Sequence, residues 1–339
     1  MYITENVSLK NYNTFHIDVS AKYFVQCNTT DNFLEILKNE RFNNETKLIL
    51  GGGSNVLFTK DFDGIVLHNN LKGISIISEN DDEVIVEVAA GEVWHQFVMW
   101  CVERNYGGLE NLSLIPGSAG AGPMQNIGAY GVELKDSFVA LNALHIQSLE
   151  VLSFSNSDCK FGYRQSVFKN EVKGQYIILS VTFKLKKNPV QFNTSYGAIE
   201  TELKNMNVDA LNVKNISQAV INIRKSKLPD PAELGNAGSF FKNPEVTEQH
   251  FLKLKSQFSN LPAYDTKPGY KKLAAGWLIE QCGWKGKIVG NTGSHKMQAL
   301  VLVNYGNATG TEVFQLAKDI QQSVKDRFDT ELEMEVNLV

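Results

Sequence analysis

Ser239 stands in the stretch GNAGSFFKNP, residues 235 to 244, behind small and turn-forming residues and ahead of two phenylalanines. A serine so placed could be a nucleophile, a helix cap or the donor of a proton. A hydrolase elbow would read G-x-S-x-G, but the residues around 238–241 lack that spacing and no histidine–acid pair is identifiable, which argues against a nucleophile. Capping agrees with the preference of serine for N-cap positions and with the turn-forming Lys242-Asn243-Pro244 close behind.

Two glycine-rich segments offer a different chemistry. GGGSN (51–55) has no Walker lysine and does not read G-x-G-x-x-G at the start of a helix, so neither usual nucleotide fingerprint applies. By itself it reads as a plain turn, yet glycine turns can aim backbone N–H groups at a phosphate because a missing Cβ permits unusual φ and close approach. IPGSAGAGPMQNIGAYG (115–131) is too long for a simple turn, and Ile115 and Ile127 argue against disorder. Such a chain either hugs a ligand or packs backbone to backbone. Two of these segments favour a dinucleotide whose pyrophosphate is met by amides.

The charge balance agrees. With 33 basic against 37 acidic residues the chain has no general basic field to hold nucleic acid or an anionic membrane, so any anionic ligand must be held locally. Length (339 residues) and a hydrophobic content of 43% suffice for two or three cored domains. Cys27, Cys101, Cys159 and Cys282 show neither C-x-x-C spacing nor a histidine cluster, which predicts no disulfide framework and no metal site. The opening MYITENVSLKNYNTFHID has no basic and apolar leader and no run of 18 apolar residues occurs, so the expectation is a cytoplasmic chain without a membrane span.

The elements that must carry these residues read as α+β. TDNFLEILK (30–38) is a short helix capped by Thr30, and KLIL (47–50) is a buried strand running into GGGSN. EVIVEV (83–88) alternates, and the next stretch lines up Val93, Trp94, Phe97, Val98 and Cys101 on one helical stripe. YIILSVTFKLK (176–186) turns Ile177, Leu179, Val181, Phe183 and Leu185 one way, the mark of a sheet with one covered face. Ser217 can cap QAVINIRKSK, KLPDP ends it, and helices follow at about 248–258 and 272–282. A Thr309–Glu312 capping box opens a helix with Val313, Ala317, Ile320 and Val324 on one face. ELEMEVNLV closes in strict alternation, Leu332, Met334, Val336 and Leu338 against Glu331, Glu333 and Glu335.

GGGSNVLF, IPGSAGAGPMQNIGAYG, FGYRQSVFK, KLPDP, NAGSFFKNP, LAAGWLIEQCGWKG and ELEMEV occur in the order of the UDP-N-acetylenolpyruvoylglucosamine reductase (MurB) family, which the chain resembles over nearly its whole length. QFNTSYGAIE (191–200) looks like the insertion of its type I form. The resemblance implies a two-lobed FAD-binding domain of the vanillyl-alcohol-oxidase type, with lobes at 1–70 and 71–218, and a separate α+β substrate-binding domain at 219–325. A C-terminal strand at 326–339 would return to the FAD-binding part. It further implies that NADPH reduces FAD, that hydride then reaches C3 of the enolpyruvyl ether of UDP-N-acetylglucosamine, and that the product, UDP-N-acetylmuramate, serves peptidoglycan precursor synthesis. The partner is thus a small-molecule substrate and the expected state a monomer. Donors must stabilise the enolate, and an acid must protonate C2.

By match to that family, Ser239 is the proton donor and Arg164 in FGYRQS faces the substrate carboxylate, where a guanidinium fork suits a planar anion. Taken alone, Arg164 reads as a surface ion pair. Glu335 matches a glutamate that helps stabilise the intermediate, for which it must donate a hydrogen bond from a partly buried site; the family's usual proline before it is Met334 here. FAD would be cradled by Gly51, Gly52, Gly53, Ser54 and Asn55 and by Pro116, Gly117, Ser118, Gly120, Gln125, Asn126, Gly128, Ala129 and Tyr130. Arg224, Lys227, Asn243 and Gln298 would meet the charged and polar groups of the substrate, Tyr196 would cover its UDP end, and Tyr163 is a weaker candidate. His95 and His295 are isolated, in structural or solvated roles, and Trp94 and Trp100 are core packing. The alternatives are a flavin oxidase of the same fold, which would have no C2 carbanion to protonate, and a silent UDP-sugar-binding module, which would not need the glycine segments.

Overall fold

In a computed structural model, residues 2–339 are described, and the chain divides into two compact units. Of the described residues, the first holds 2–7, 21–52 and 63–226; the second holds 8–20, 53–62 and 227–339.

Two sheets organise the first unit. One runs in the order Ile3–Ser8, Ser20–Cys27, Phe62–Asn69, Thr46–Leu50, and its last two strands are parallel, with Leu50 beside His68. The helix α1 (Thr30–Leu37) packs Phe33 and Ile36 against Val25, Ile65 and Leu67. Its cap is Thr29 rather than Thr30: the Thr29 hydroxyl accepts from Asn32 N–H and the Asn32 side chain answers, a reciprocal box centred one residue earlier than expected. The other sheet is antiparallel, ordered Val151–Ser155, Phe138–His145, Tyr176–Lys187, Glu83–Ala89, Ile74–Glu79. Behind it lies α2 (Trp94–Glu103), which buries Trp94, Phe97, Val98 and Cys101, whereas Val93 is the exposed residue before the helix.

The long central strand departs from the one-face expectation. Asn142 pairs with Ser180 and Ala143 with Ile178, so Leu179 is an extra residue, a bulge that changes the phase of the side chains. Ile178 joins Val181, Phe183 and Leu185 in the core under α2, while Ile177 and Leu179 enter the core around α1. At that end the sheet is covered on both faces.

Two further helices complete the unit, α3 (Gly197–Asn205) and α4 (Val213–Lys227), joined through Ile199, Leu203, Ile216, Ala219, Val220 and Ile223. Ser217 is no cap. It lies inside α4, buried, with its hydroxyl bonded to that of Ser113.

The second unit has a four-stranded antiparallel sheet ordered Gly235–Ser239, Val301–Asn304, Thr292–Ser294, Ile288–Val289. A three-stranded sheet pairs Tyr270–Leu273 with Glu245–Thr247 and Ala263–Asp265, so the helix expected from 272 begins only at Ala275. The helices are α5 (Glu248–Gln257), α6 (Ala275–Gln281) and α7 (Gly310–Phe328). α7 opens with the anticipated Thr309–Glu312 box and buries Val313, Ala317, Ile320 and Val324 completely.

The C-terminal alternation is corrected. Only Asn337–Leu338 is paired as a strand, parallel to Val56–Leu57, and Glu335 is buried while Leu338 is exposed. The preceding residues run beside 240–242 through Lys242 N–H to Glu333 O and Glu335 N–H to Phe240 O. Glu333 is held by the buried Lys242 ammonium, and Glu331 pairs with Lys325 at 2.9 Å.

Burial lowers His68, His95 and His295 below the ordinary 6.5, with Lys72 adding to it at the first, Arg224 and Lys225 at the second and Lys296 at the third. His295 is buried rather than solvated. Since the unfolded chain takes up protons that the folded chain refuses, their contribution to stability is complete above 6.5 and declines as pH falls from there toward the depressed values. Urea midpoints should therefore drop between about pH 7.5 and pH 5.5, and drop less in the His68→Gln/His95→Asn/His295→Gln variant; an equal drop in both would refute the assignment.

Candidate active site

In the first unit the strand Thr46–Leu50 delivers the chain to Gly51 and Gly52, which cross the second glycine segment at backbone distance. A Cβ on Gly51 would lie 2.2 Å from Ser118 Oγ, and one on Gly52 3.1 Å from Gly117 Cα. Three backbone bonds hold that second segment: Trp94 N–H to Gly117 O (2.9 Å), Ala119 N–H to Glu92 O (2.8 Å) and Gly120 N–H to Ala90 O (2.9 Å). The junction presents backbone without side chains at Gly51, Gly52 and Gly117 beside the Ser118 hydroxyl. Such a surface fits an FAD pyrophosphate met by amides.

Gly53, Ser54 and Asn55 lie in the second unit. Gly53 has φ of +59°, and a Cβ there would sit 2.0 Å from Tyr12 O, so close backbone approach is what requires glycine. Gly53→Val should cost more than about 3 kcal/mol of stability through left-handed strain and that clash. Wild-type denaturation with full flavin content would show that neither constraint holds.

Past the junction, Gly128–Ala129 pairs with Val132–Glu133 across a two-residue turn in which Tyr130 and Gly131 both have positive φ. Asn126 builds this hairpin's base: its side chain donates to Glu133 Oε2 and Gly162 O and accepts from Lys135 N–H. Gln125 accepts from Lys169 Nζ at 3.3 Å. Two residues absent from the sequence expectations fix the tip. Buried Asn111 donates to Tyr130 O (3.1 Å) and Asn193 O (2.9 Å), and Asn193 donates to Gly131 O (2.9 Å). This tether brings the Tyr196 segment to Tyr130, and the two rings meet edge to face with centroids 5.3 Å apart.

Two guanidiniums converge here. Gly162 and Gln165 exchange backbone bonds across a tight turn that displays Tyr163 and Arg164; Arg164, at φ of +53°, sends Nη2 to Gly128 O at 2.8 Å and lies 5.6 Å over the Tyr163 ring. Arg224, from α4, donates Nε–H to Leu114 O at 3.2 Å. Burial pushes the Arg224 guanidinium below its ordinary range, the Tyr130 hydroxyl it bonds to opposes this, and Arg164 adds repulsion. Burial likewise raises Tyr130, with Arg224 opposing. Two like charges brought together beside the Tyr130 hydroxyl are best relieved by an anion with paired oxygens. Lys227, the exposed last residue of α4, falls in the second unit.

In the second unit Ser239 closes its strand opposite Val301, after a register shift from Asn236 opposite Val303. Buried Asn236 makes that bulge, donating to Leu234 O and Pro229 O and accepting from the N–H of Gly238, whose φ is +70°. A bulge re-aims the side chain that follows it. Phe240 and Phe241, fully buried, anchor the far side, so Ser239 is a strand residue with a fixed direction and not a cap. Glu335 lies alongside: its N–H reaches Phe240 O at 2.8 Å, and its carbonyl accepts from Asn55 Nδ2 at 3.2 Å. Asn55 thus tethers the glutamate segment. Asn243 Oδ1 accepts from Ala275 N–H and Gln298 Oε1 lies 3.0 Å from where a Gly276 Cβ would be, so both meet the first turn of α6.

Trp94 is core, with its indole N–H on Leu112 O, whereas Trp100 is half-buried with Arg104 stacked 4.0 Å over it. The four thiols are unpaired, and burial pushes Cys27 and Cys159 up to about 12, which leaves them inert. Among the described residues no His, Cys, Asp or Glu group could hold a metal ion, and no helix is long and apolar enough to cross a membrane.

Residues 21–152 match an FAD binding domain, and residues 230–339 match the UDP-N-acetylenolpyruvoylglucosamine reductase C-terminal domain. A flavin-binding domain joined to a reductase C-terminal domain defines an FAD-dependent oxidoreductase. UDP-N-acetylenolpyruvoylglucosamine reductases from Flavobacterium johnsoniae and Amoebophilus asiaticus are 53% and 48% identical over the whole of both chains, and that of Pseudomonas putida is 48% identical over 98% of each. The chain belongs to the UDP-N-acetylenolpyruvoylglucosamine reductase family. Its fold is that of the solved reductase (MurB) from Thermus caldophilus, with TM-score 0.68 over 99% of both chains at 22% identity.

Proposed function

We propose that the chain reduces the enolpyruvyl ether of UDP-N-acetylglucosamine to UDP-N-acetylmuramate with NADPH, as a cytoplasmic monomer serving peptidoglycan precursor synthesis. The observation that carries the reading is the locking of Glu335 against the Ser239–Phe240 backbone by the 2.8 Å bond from Glu335 N–H to Phe240 O. A buried glutamate whose backbone is tied to the strand that carries Ser239 supports a hydroxyl and a carboxyl acting on one substrate, which protonation of a carbanion next to a carboxylate requires. Bound FAD would supply the hydride chemistry that links NADPH to C3, and Gly51, Gly52, Gly117 and Ser118 would hold its pyrophosphate.

The chain supplies the rest. Ser239 gives its hydroxyl proton to C2; serine is a weak acid, but an enolate carbon is a strong base, so positioning outweighs a tuned acidity. Glu335 donates a hydrogen bond to the enolate oxygen, and Arg164 takes the substrate carboxylate. Arg224 with Tyr130, and Lys227 with Asn243 and Gln298, meet the diphosphate and sugar, with Tyr196 over the UDP end. Lys227 also serves NADPH.

The test is an anaerobic titration: one equivalent of NADPH should bleach the flavin absorbance, and adding the enolpyruvyl ether should restore it promptly. Absorbance that stays bleached until oxygen enters would replace this reading with the oxidase one.

A further inference from the structure

Leu114 stands just before the second glycine segment with φ of +59°, a left-handed conformation rarely adopted by a residue with a bulky side chain and held only where its surroundings enforce it. Side chains of the first unit take both of its backbone polar groups. Its N–H donates to His95 Nδ1 at 2.9 Å, and its carbonyl accepts from Arg224 Nε–H at 3.2 Å. His95 comes from the first turn of α2, next to Trp94, which is anchored in the core and bonded to Gly117 O. To accept an N–H, Nδ1 must keep its lone pair, so the ring carries its proton on Nε2 and is neutral. Burial and the neighbouring Arg224 and Lys225 all favour that form.

We propose that His95 is a positioning residue for Arg224. The imidazole holds the N–H of Leu114, and the carbonyl of the same residue holds the Nε–H of the guanidinium, so the fixed Leu114 backbone sets the plane of the fork. The terminal nitrogens are left to Tyr130 and to the anionic part of the UDP-sugar. A planar fork recognises paired oxygens only when its plane is set, and an arginine on a helix surface has too many rotamers to set it alone. The assignment rests on the reading of Arg224 as a substrate contact, and it adds a residue that touches neither substrate nor flavin.

Two variants separate the acceptor from mere bulk. His95→Asn keeps an acceptor, Oδ1, where Nδ1 stood, while His95→Leu has none. In the FAD-loaded protein the Arg224 Nε–H resonance, assigned by its loss in Arg224→Lys, should exchange slowly in the wild type and in His95→Asn, and rapidly in His95→Leu. Slow exchange in His95→Leu would overturn the proposal. The wild type decides even if that variant does not fold, because a proton found on Nδ1 of His95 by nitrogen-15 spectroscopy is equally fatal.

In steady state, His95→Leu should raise KM for the enolpyruvyl substrate about tenfold with kcat changed less than about threefold. His95→Asn should restore it, and His95→Leu should add nothing further in an Arg224→Gln background. A multiplicative effect in that background, or no rescue by asparagine, contradicts the coupling. If Arg224→Gln alone leaves KM unchanged, the substrate role of Arg224 has failed, and the resonance still tells whether His95 positions it.

Discussion

Ser239→Ala should leave the bleaching of flavin absorbance by NADPH nearly unchanged and slow its recovery on addition of the enolpyruvyl ether by roughly 10²–10⁴-fold, the usual range for loss of a general acid. The fold should tolerate the change. Direction at this position comes from the Asn236 bulge and the buried Phe240 and Phe241, and alanine disturbs none of them. A serine that merely capped or packed would slow both half-reactions alike or neither. Equal losses would therefore remove Ser239 from the chemistry.

Arg164→Ala should also spare the first half-reaction and slow the second, by roughly 10²–10³-fold, as for removal of one preorganised donor from a developing oxyanion. Its geometry makes lysine a poor substitute. Nη2 is committed to Gly128 O at 2.8 Å, and only a fork keeps further N–H groups for a carboxylate while holding that bond. Arg164→Lys should thus recover little of the rate. Full recovery by lysine would mean that a point charge suffices, and an equal loss with NADPH would mean that the arginine holds the hairpin rather than the substrate.

Elements with many in-phase residues are legible in the chain. α7 shows its capping box and its apolar face within one window, and α2 shows its stripe, because burial on one side leaves a 3.6-residue period. Phase is lost at single residues that periodicity cannot register. The Leu179 bulge splits one alternating run between two cores, and the C-terminal alternation hides a change of partner, from residues 240–242 at Glu333–Glu335 to Val56–Leu57 at Asn337–Leu338.

Motifs name Ser239, Arg164 and Glu335, but they cannot name what holds them. Asn111, Asn193 and Asn236 look like ordinary turn residues; Asn236 acts locally to make its bulge, but the meaning of the first two lies in carbonyls reached across the fold, as in the link from Asn111 to Asn193 O, 82 positions away. The same applies to Arg224 and Leu114, 110 positions apart. His95 belongs to no ligand pattern, and its partner is a backbone N–H that no side-chain motif displays.

The most direct test of the central claim is to turn the enolpyruvyl ether over in D2O with unlabelled NADPH and read the product by proton NMR. The account predicts UDP-N-acetylmuramate with deuterium at C2, from the exchangeable Ser239 hydroxyl, and with the hydrogen from NADPH at C3. Deuterium at C3 with protium at C2, or no reduced product at all, would contradict it.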